Sequence, residues 1–141
     1  HSFPTRRSSD LNRDDFPSPF PQVEGLHIDF NPYFQWTNGY PDFRKMFKLK
    51  RLRIRQDKSL LETPIMKDLD YLEISSCKNL TLVDSLKQVE IKELCLQFIP
   101  ELIDITPIRS VKRLKLVLCP KVTMEMLEQL ECEYLETILI K

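Results

Sequence analysis

Apolar residues recur along this chain in a phrase with apolar or cysteine residues at positions one, four, six, nine and twelve. Its three clearest copies are Leu69-x-x-Leu72-x-Ile74-x-x-Cys77-x-x-Leu80, Ile91-x-x-Leu94-x-Leu96-x-x-Ile99-x-x-Leu102 and Val111-x-x-Leu114-x-Leu116-x-x-Cys119-x-x-Val122. These copies begin at positions 69, 91 and 111. A period of roughly 20 residues is typical of stacked-repeat proteins. Residues 69–122 therefore predict a solenoid.

Less regular copies flank these three. Because about a third of the chain is aliphatic or phenylalanine, the first three positions alone match about six times by chance, whereas adding the twelfth position lowers that to about two. All five complete copies carry an apolar residue at the twelfth position, so the periodicity is real. The flanking copies are Val23-Leu26-Ile28-Asn31-Phe34, Leu49-Leu52-Ile54-Asp57-Leu60 and an incomplete sixth, Leu135-Ile138-Ile140.

Alternation at positions four to six of each copy predicts one short, half-buried strand per repeat. The predicted strands are centred on residues 52–54, 72–74, 94–96 and 114–116, with a weaker one over Val23 to Ile28.

The segments between the strands predict returns of two kinds. Thr63-Pro64-Ile65 and Thr106-Pro107-Ile108 indicate extended or single-turn returns, because proline forbids a long helix. Thr123 to Glu131 predicts a true helix capped by Thr123, within a longer final repeat that runs from Val111 to Leu135. A second short helix is predicted after Pro41, with Phe43, Met46 and Phe47 on one face.

The repeated phrase resembles the leucine-rich repeat, L-x-x-L-x-L-x-x-(N/C)-x-(x)-L, over about residues 23–140. Residues 69–80 and 111–122 look like the cysteine-containing subtype found beside F-box domains and in plant resistance proteins, whereas residues 99–116 are more similar to bacterial internalin repeats. Asp57 and Ile99 depart from the pattern at the Asn/Cys position. The resemblance implies an open α/β solenoid of about five to six repeats, with a parallel sheet on the concave face and short helices or extended returns on the convex face.

The two ends of the chain lead to different expectations. Residues 1–11, which contain Arg6 and Arg7, resemble an in-frame translation of a sequencing adapter and are expected to be an artefact. Residues 12–22 are proline-rich and predict an extended or disordered segment. Residues 23–141 are expected to form the repeat domain, truncated at both ends.

Composition narrows the classes of function. Lys+Arg and Asp+Glu are both 21, so no global field favours nucleic acid or a membrane. The four cysteines match no zinc or redox spacing, which favours free thiols in the cytoplasm. With two glycines and two histidines, the chain offers no phosphate-binding glycine loop and no metal pair. We expect no enzyme activity, catalytic residue, metal or cofactor.

Outward strand positions carry the candidate binding residues. Arg51, Arg53 and Arg55 form a positive stripe along one strand, suited to acidic side chains or phosphate. The alternative is a solvated strand face whose charge is partly neutralised by Glu73. Cys95 should face outward and be the most reactive thiol, whereas Cys77 and Cys119 should be buried in turns. The resemblance implies that ligands bind this concave face. The expected contacts are Arg51, Arg53, Arg55, Tyr71, Glu73, Arg113 and Lys115.

These observations favour binding of a protein partner, with no small-molecule substrate, and disfavour nucleic acid and membranes. The cysteine-type repeats suggest substrate recognition for an F-box ubiquitin ligase. A sensor domain of an immune or signalling receptor and a structural spacer are the alternatives. The expected state is a monomer within a longer chain.

Overall fold

The computed structural model describes residues 10–12, 22–30, 35–37 and 40–138. Most of the predicted artefact and of the proline-rich segment, together with Phe34 and Ile140, lie outside the described residues. The strands are β1 (Asp10–Asn12), β2 (Gly25–Asp29), β3 (Gln35–Thr37), β4 (Arg51–Arg55), β5 (Leu69–Ser75), β6 (Glu90–Gln97), β7 (Ser110–Val117) and β8 (Tyr134–Ile138). The helices are two 3-10 turns, Phe43–Lys45 and Asp84–Leu86, and the α-helix α1 (Met124–Glu128).

Six strands form one parallel sheet in the order β2-β4-β5-β6-β7-β8. Each strand pairs with the next large-sheet strand along the chain, so the backbone coils as a solenoid of about four turns. The remaining two strands, β1 and β3, pair in parallel as a separate small sheet. In the described part of the chain, no helix is long and apolar enough to cross a bilayer.

The register of the large sheet superimposes equivalent positions of the repeated phrase. Leu52, Leu72, Leu94 and Leu114 are successive partners across β4 to β7, and all four side chains are buried. The row two residues further along each strand contains Ile54, Ile74, Leu96 and Leu116. Each such side chain contributes about 1.5–3 kcal/mol through burial, and each packs against its equivalent in the neighbouring turn. The predicted strands lie side by side in one sheet, as expected.

The returns build a second, shorter parallel row. Glu62 bridges Leu82, and Leu82 bridges Asp104, so the residues that follow occupy equivalent places. Val83 and Ile105 are fully buried there. Extended returns are therefore confirmed. The helix α1 is also confirmed, although it is short, with the Thr123 side chain accepting a hydrogen bond from the Met126 backbone N–H.

A left-handed residue follows each of four strands. The φ angles are 63° at Gln56, 56° at Ser76, 55° at Phe98 and 53° at Leu118. The N–H groups of the first three donate to the last carbonyl of the next strand, for example from Gln56 to Ser75 at 3.0 Å. This conformation therefore turns the chain out of the sheet and ties each turn to its neighbour.

Cysteine side chains lie buried one residue beyond two of these turns. The thiol of Cys77 donates to the Ser75 carbonyl at 3.4 Å, and that of Cys119 to the Leu96 and Val117 carbonyls, both at 3.6 Å. Burial raises the pKa of Cys77 to about 11. Both cysteines are buried in turns, as predicted, and their thiols donate to backbone carbonyls there.

Two predictions near the ends of the solenoid are wrong. Leu135 pairs with Leu114 and Thr137 with Leu116, whereas the phrase aligns Ile138 with Leu114. Between paired leucines the final repeat spans 21 residues, from 114 to 135, which lies between the 20 and 22 residues of the two preceding repeats, because the chain returns to the sheet soon after the short helix. Phe47 does not share a buried face with Phe43 and Met46: the latter two are buried, but Phe47 is 82% exposed because the 3-10 turn has ended before it.

We expect the substitution Gln56→Gly to stabilise the fold. A left-handed conformation costs a residue with a Cβ atom about 1–2 kcal/mol, and the greater chain entropy of glycine when unfolded offsets about 0.5–1 kcal/mol of this gain. Because the Gln56 side chain is exposed, the free energy of unfolding should rise by about 0.5 kcal/mol, measured by urea denaturation. Gln56→Ala keeps the Cβ atom and should give no gain; equal effects of the two variants would contradict the strain.

Candidate functional site

Side chains of the large sheet alternate between the core and an open face, defined here as the sheet surface that points away from the buried leucine rows. Three rows run across this open face, transverse to the strands. The first row contains Gly25, Arg51, Tyr71, Glu93, Arg113 and Tyr134, and the second contains His27, Arg53, Glu73, Cys95, Lys115 and Glu136. A third begins with Asp29, Arg55 and Ser75.

Glu73 is the most buried charged side chain of this face, with 5% of its surface exposed. Its carboxylate accepts a hydrogen bond from Tyr71 Oη at 2.8 Å, an ion-paired bond from Arg53 Nε at 3.2 Å and a longer bond from Ser75 Oγ at 3.4 Å. A buried carboxylate is tolerated only when it is paired and hydrogen-bonded in this way. Burial, followed by the hydrogen bond to Glu73, raises the pKa of Tyr71 far above its usual value, so the phenol stays protonated as the donor.

The arginine stripe of β4 is present but its members are not equivalent. Arg51 lies over the Tyr71 ring, with 5.8 Å from Cζ to the ring centroid. Arg53 is ion-paired with Glu73. Arg55 lies in the third row, where its Nε is buried and has no hydrogen-bond partner among the described residues. The three arginines are therefore not equivalent: Arg51 lies over a ring, Arg53 is ion-paired, and Arg55 forms no ion pair in the described part of the chain.

Over strands β5 to β8 of the open face, charged side chains surround a depression of about 590 Å³. Arg113 lies over the Tyr134 ring at 4.6 Å. Arg113, Lys115, Glu93 and Glu136 form no ion pair among the described residues. Mutually adjacent charges of both signs that remain unpaired can engage a ligand without first breaking an internal bond. Leu94, Leu114 and Leu135 also line the depression, although all three belong to the row whose side chains face away from the open face.

The predicted contacts divide between this depression and a smaller hollow. Tyr71, Glu73, Arg113 and Lys115 line the depression. Arg51, Arg53 and Tyr71 line a hollow of about 330 Å³ at the β2 end. Tyr71 belongs to both, and Arg55 to neither.

Sequence reasoning missed part of the depression. Tyr134 and Glu136 are not among the predicted contacts, because the phrase aligns the last repeat too late along the chain. The paired positions Leu72, Leu94 and Leu114 are almost evenly spaced, so continuing their interval beyond Leu114 would have found Leu135 and, with it, both neighbours. Glu93 and Gln97 also line the depression but are not among the predicted contacts.

The expectation that Cys95 is the most reactive thiol is wrong. Cys95 does belong to the open face, between Glu73 and Lys115, but it is 5% exposed. The Gln97 amide donates to its sulfur at 3.0 Å. Burial raises the pKa of Cys95, with the Gln97 bond acting in the opposite direction. Longer neighbouring side chains cover this short one, so its outward direction does not make it accessible.

The described residues contain no group of three or more His, Cys, Asp or Glu side chains arranged to hold a metal ion. The open face combines guanidinium groups that lie over tyrosine rings with carboxylates that form no ion pair among the described residues. No family model matches this chain, and neither the curated proteins nor the solved structures include one that matches it.

Alkylation should single out Cys132 among the four thiols. Cys132 is partly exposed, whereas Cys77, Cys95 and Cys119 are buried. Burial raises the pKa of all four thiols, so access to the reagent decides their order. Iodoacetamide followed by mass spectrometry should show Cys132 modified about tenfold or more faster. In the Cys132→Ser variant the fast phase should vanish; modification of Cys95 at the rate of Cys132 would contradict its burial.

Removing the charge of Glu73 should destabilise the open face. Glu73→Gln deprives Arg53 of its ion pair, but Arg53 is 42% exposed and can rehydrate, so we expect a loss of about 1–2 kcal/mol rather than the full cost of a broken buried pair. The control Glu93→Gln, at an exposed and unpaired position of the next strand, should change the free energy of unfolding by less than about 0.5 kcal/mol. Equal urea midpoints for the two variants would show that the buried network contributes nothing.

Proposed function

We propose that this chain is a leucine-rich-repeat solenoid that binds a protein partner through its concave face, which corresponds to the open face. A repeat length of roughly 20 residues supports this family. So do the stacked buried leucines and the thiols that hydrogen-bond the turn carbonyls. The two cysteine turns further favour the cysteine-containing subtype, and with it substrate recognition for an F-box ubiquitin ligase.

The observation that carries the proposal is the set of unpaired charges around the depression. Arg113 and Lys115 project beside Glu93 and Glu136 without an ion pair among the described residues. Exposed surface charges steer and orient a partner when the partner's charge pattern is complementary to theirs. A partner segment of mixed charge fits, with acidic side chains against β7 and a basic side chain against Glu93 or Glu136.

Aromatic and arginine side chains give the depression the composition of an interface centre. Arg and Tyr are enriched among the residues that dominate binding energy, and here Tyr71, Arg113 and Tyr134 lie in one row. The Arg113 guanidinium is already oriented on the Tyr134 ring, so a partner loses less entropy in immobilising it.

Selection from a random peptide display library tests this function directly. Peptides enriched on the wild-type chain should bind Arg113→Ala about tenfold or more weakly, which corresponds to the loss of one central contact. Lys112→Ala provides the matched control, because it removes the same charge from the adjacent residue of β7, which lines a different hollow. Its affinity should stay within about twofold of wild type, as measured by biolayer interferometry.

Two outcomes would contradict the proposal. Peptides that bind Arg113→Ala as tightly as the wild type would place recognition elsewhere on the molecule. If no library peptide binds the wild type more tightly than it binds the double variant Arg113→Ala/Lys115→Ala, a spacer without a dedicated ligand would be favoured.

A further inference from the structure

The smaller hollow of the open face lies over Gly25. In the first row each strand from β4 to β8 contributes a long side chain, whereas β2 contributes only this glycine. The missing side chain leaves a space of about 330 Å³ next to Arg51. Arg53, Lys50 and His27 complete its cationic and imidazole wall.

Two guanidinium groups are held in place at this hollow with donors to spare. Arg51 lies over the Tyr71 ring, with its Cζ 5.8 Å from the ring centroid, and its guanidinium nitrogens donate no hydrogen bond among the described residues. Arg53 uses Nε for Glu73, and its terminal nitrogens donate no hydrogen bond among the described residues. Both arginines therefore have unused N–H donors and line the same small space.

Glu73 fixes both arginines at once. It binds Arg53 directly and accepts the hydroxyl of Tyr71, whose ring supports Arg51. Because the carboxylate is buried under these contacts, the pair of arginines is oriented before any ligand arrives. Such preorganisation lowers the entropic cost of binding.

The charges of the hollow leave it with a positive surplus. Its two acidic residues have cationic partners: Glu24 lies 3.7 Å from Lys50, and Asp70 lies 3.3 Å from Lys92. Glu73 neutralises one of the two arginines. The Nε2 atom of His27 is buried and has no hydrogen-bond partner among the described residues. Burial, followed by the charge of Arg53, lowers the His27 pKa, so at neutral pH the imidazole is an uncharged donor or acceptor.

We propose that the hollow over Gly25 binds a phosphate monoester, carried by a phosphorylated side chain of the protein partner. A phosphomonoester brings a charge of about −1.5 to −2 and three acceptor oxygens, which match two guanidinium groups better than a carboxylate with two oxygens does. The identity of the carrier rests on the proposed function, whereas the oxyanion site itself does not.

The probe for this site is the tripeptide acetyl-Gly-phosphoSer-Gly-amide, titrated by calorimetry at constant ionic strength. It should bind the wild type at least about tenfold more tightly than the same tripeptide with Glu or with unmodified Ser. Arg51→Gln should weaken it about tenfold or more, since a charge-assisted hydrogen bond is lost. Gly25→Val should do the same by filling the space without altering any charge.

Controls separate the site from general electrostatics and from misfolding. Lys87→Gln removes an exposed charge from the return between β5 and β6 and should leave the affinity within about twofold. Arg51→Gln alters an exposed side chain, so it keeps the test valid if Gly25→Val unfolds, as judged by circular dichroism. Equal weakening by Arg51→Gln and Lys87→Gln, equal binding of the Glu tripeptide, or no binding of the phosphotripeptide would overturn the proposal.

Two further comparisons identify the carrier and isolate the inference. Cosedimentation with phosphatidylcholine vesicles that contain phosphatidylinositol phosphate, without binding of the tripeptide, would overturn the assignment to a protein. If Arg113→Ala abolishes peptide binding but the phosphotripeptide does not bind, this inference fails and the proposed function stands. If the phosphotripeptide binds but Arg113→Ala does not weaken the selected peptides, the phosphate site stands and the proposed function fails.

Discussion

Burial of one aliphatic row against the equivalent row of the next turn is the interaction on which this structure depends. A single repeat has no opposite side against which to pack, so its leucines leave water only when a neighbour stacks on them. The parallel register from β4 to β7 follows from that requirement, because a shift of one residue would exchange the buried and open faces of a strand. Every feature of the open face inherits its position from this buried register.

The left-handed turns show how the same stacking overrides local preference. Phe98 and Leu118 adopt positive φ, although glycine would do so without steric cost. The Phe98 N–H donates to the Val117 carbonyl at 2.8 Å, and Ile99 and Cys119, each directly after such a turn, are fully buried. The backbone therefore accepts strain at the surface in exchange for hydrogen bonds and burial just inside it.

The strands were predictable because two periods coincide in the sequence: alternation within each strand and a nearly constant spacing from one strand to the next. The left-handed turns were not predictable, because Gln56, Ser76, Phe98 and Leu118 are not of the residue types that favour positive φ. The burial of Cys95 was also hidden, since it depends on how the longer side chains of Glu73 and Gln97 lie over it. The outward direction of a strand residue follows from parity alone, whereas its exposure depends on its neighbours across the sheet.

Tyr71 lines both the depression and the hollow over Gly25, and its hydroxyl is fastened to the buried Glu73. Two ligands on the open face would therefore share one wall. If either ligand moves that ring, the affinity for the other changes, and thermodynamic linkage requires the effect to be mutual and equal in both directions. A single aromatic side chain would thus couple the two proposed sites to each other.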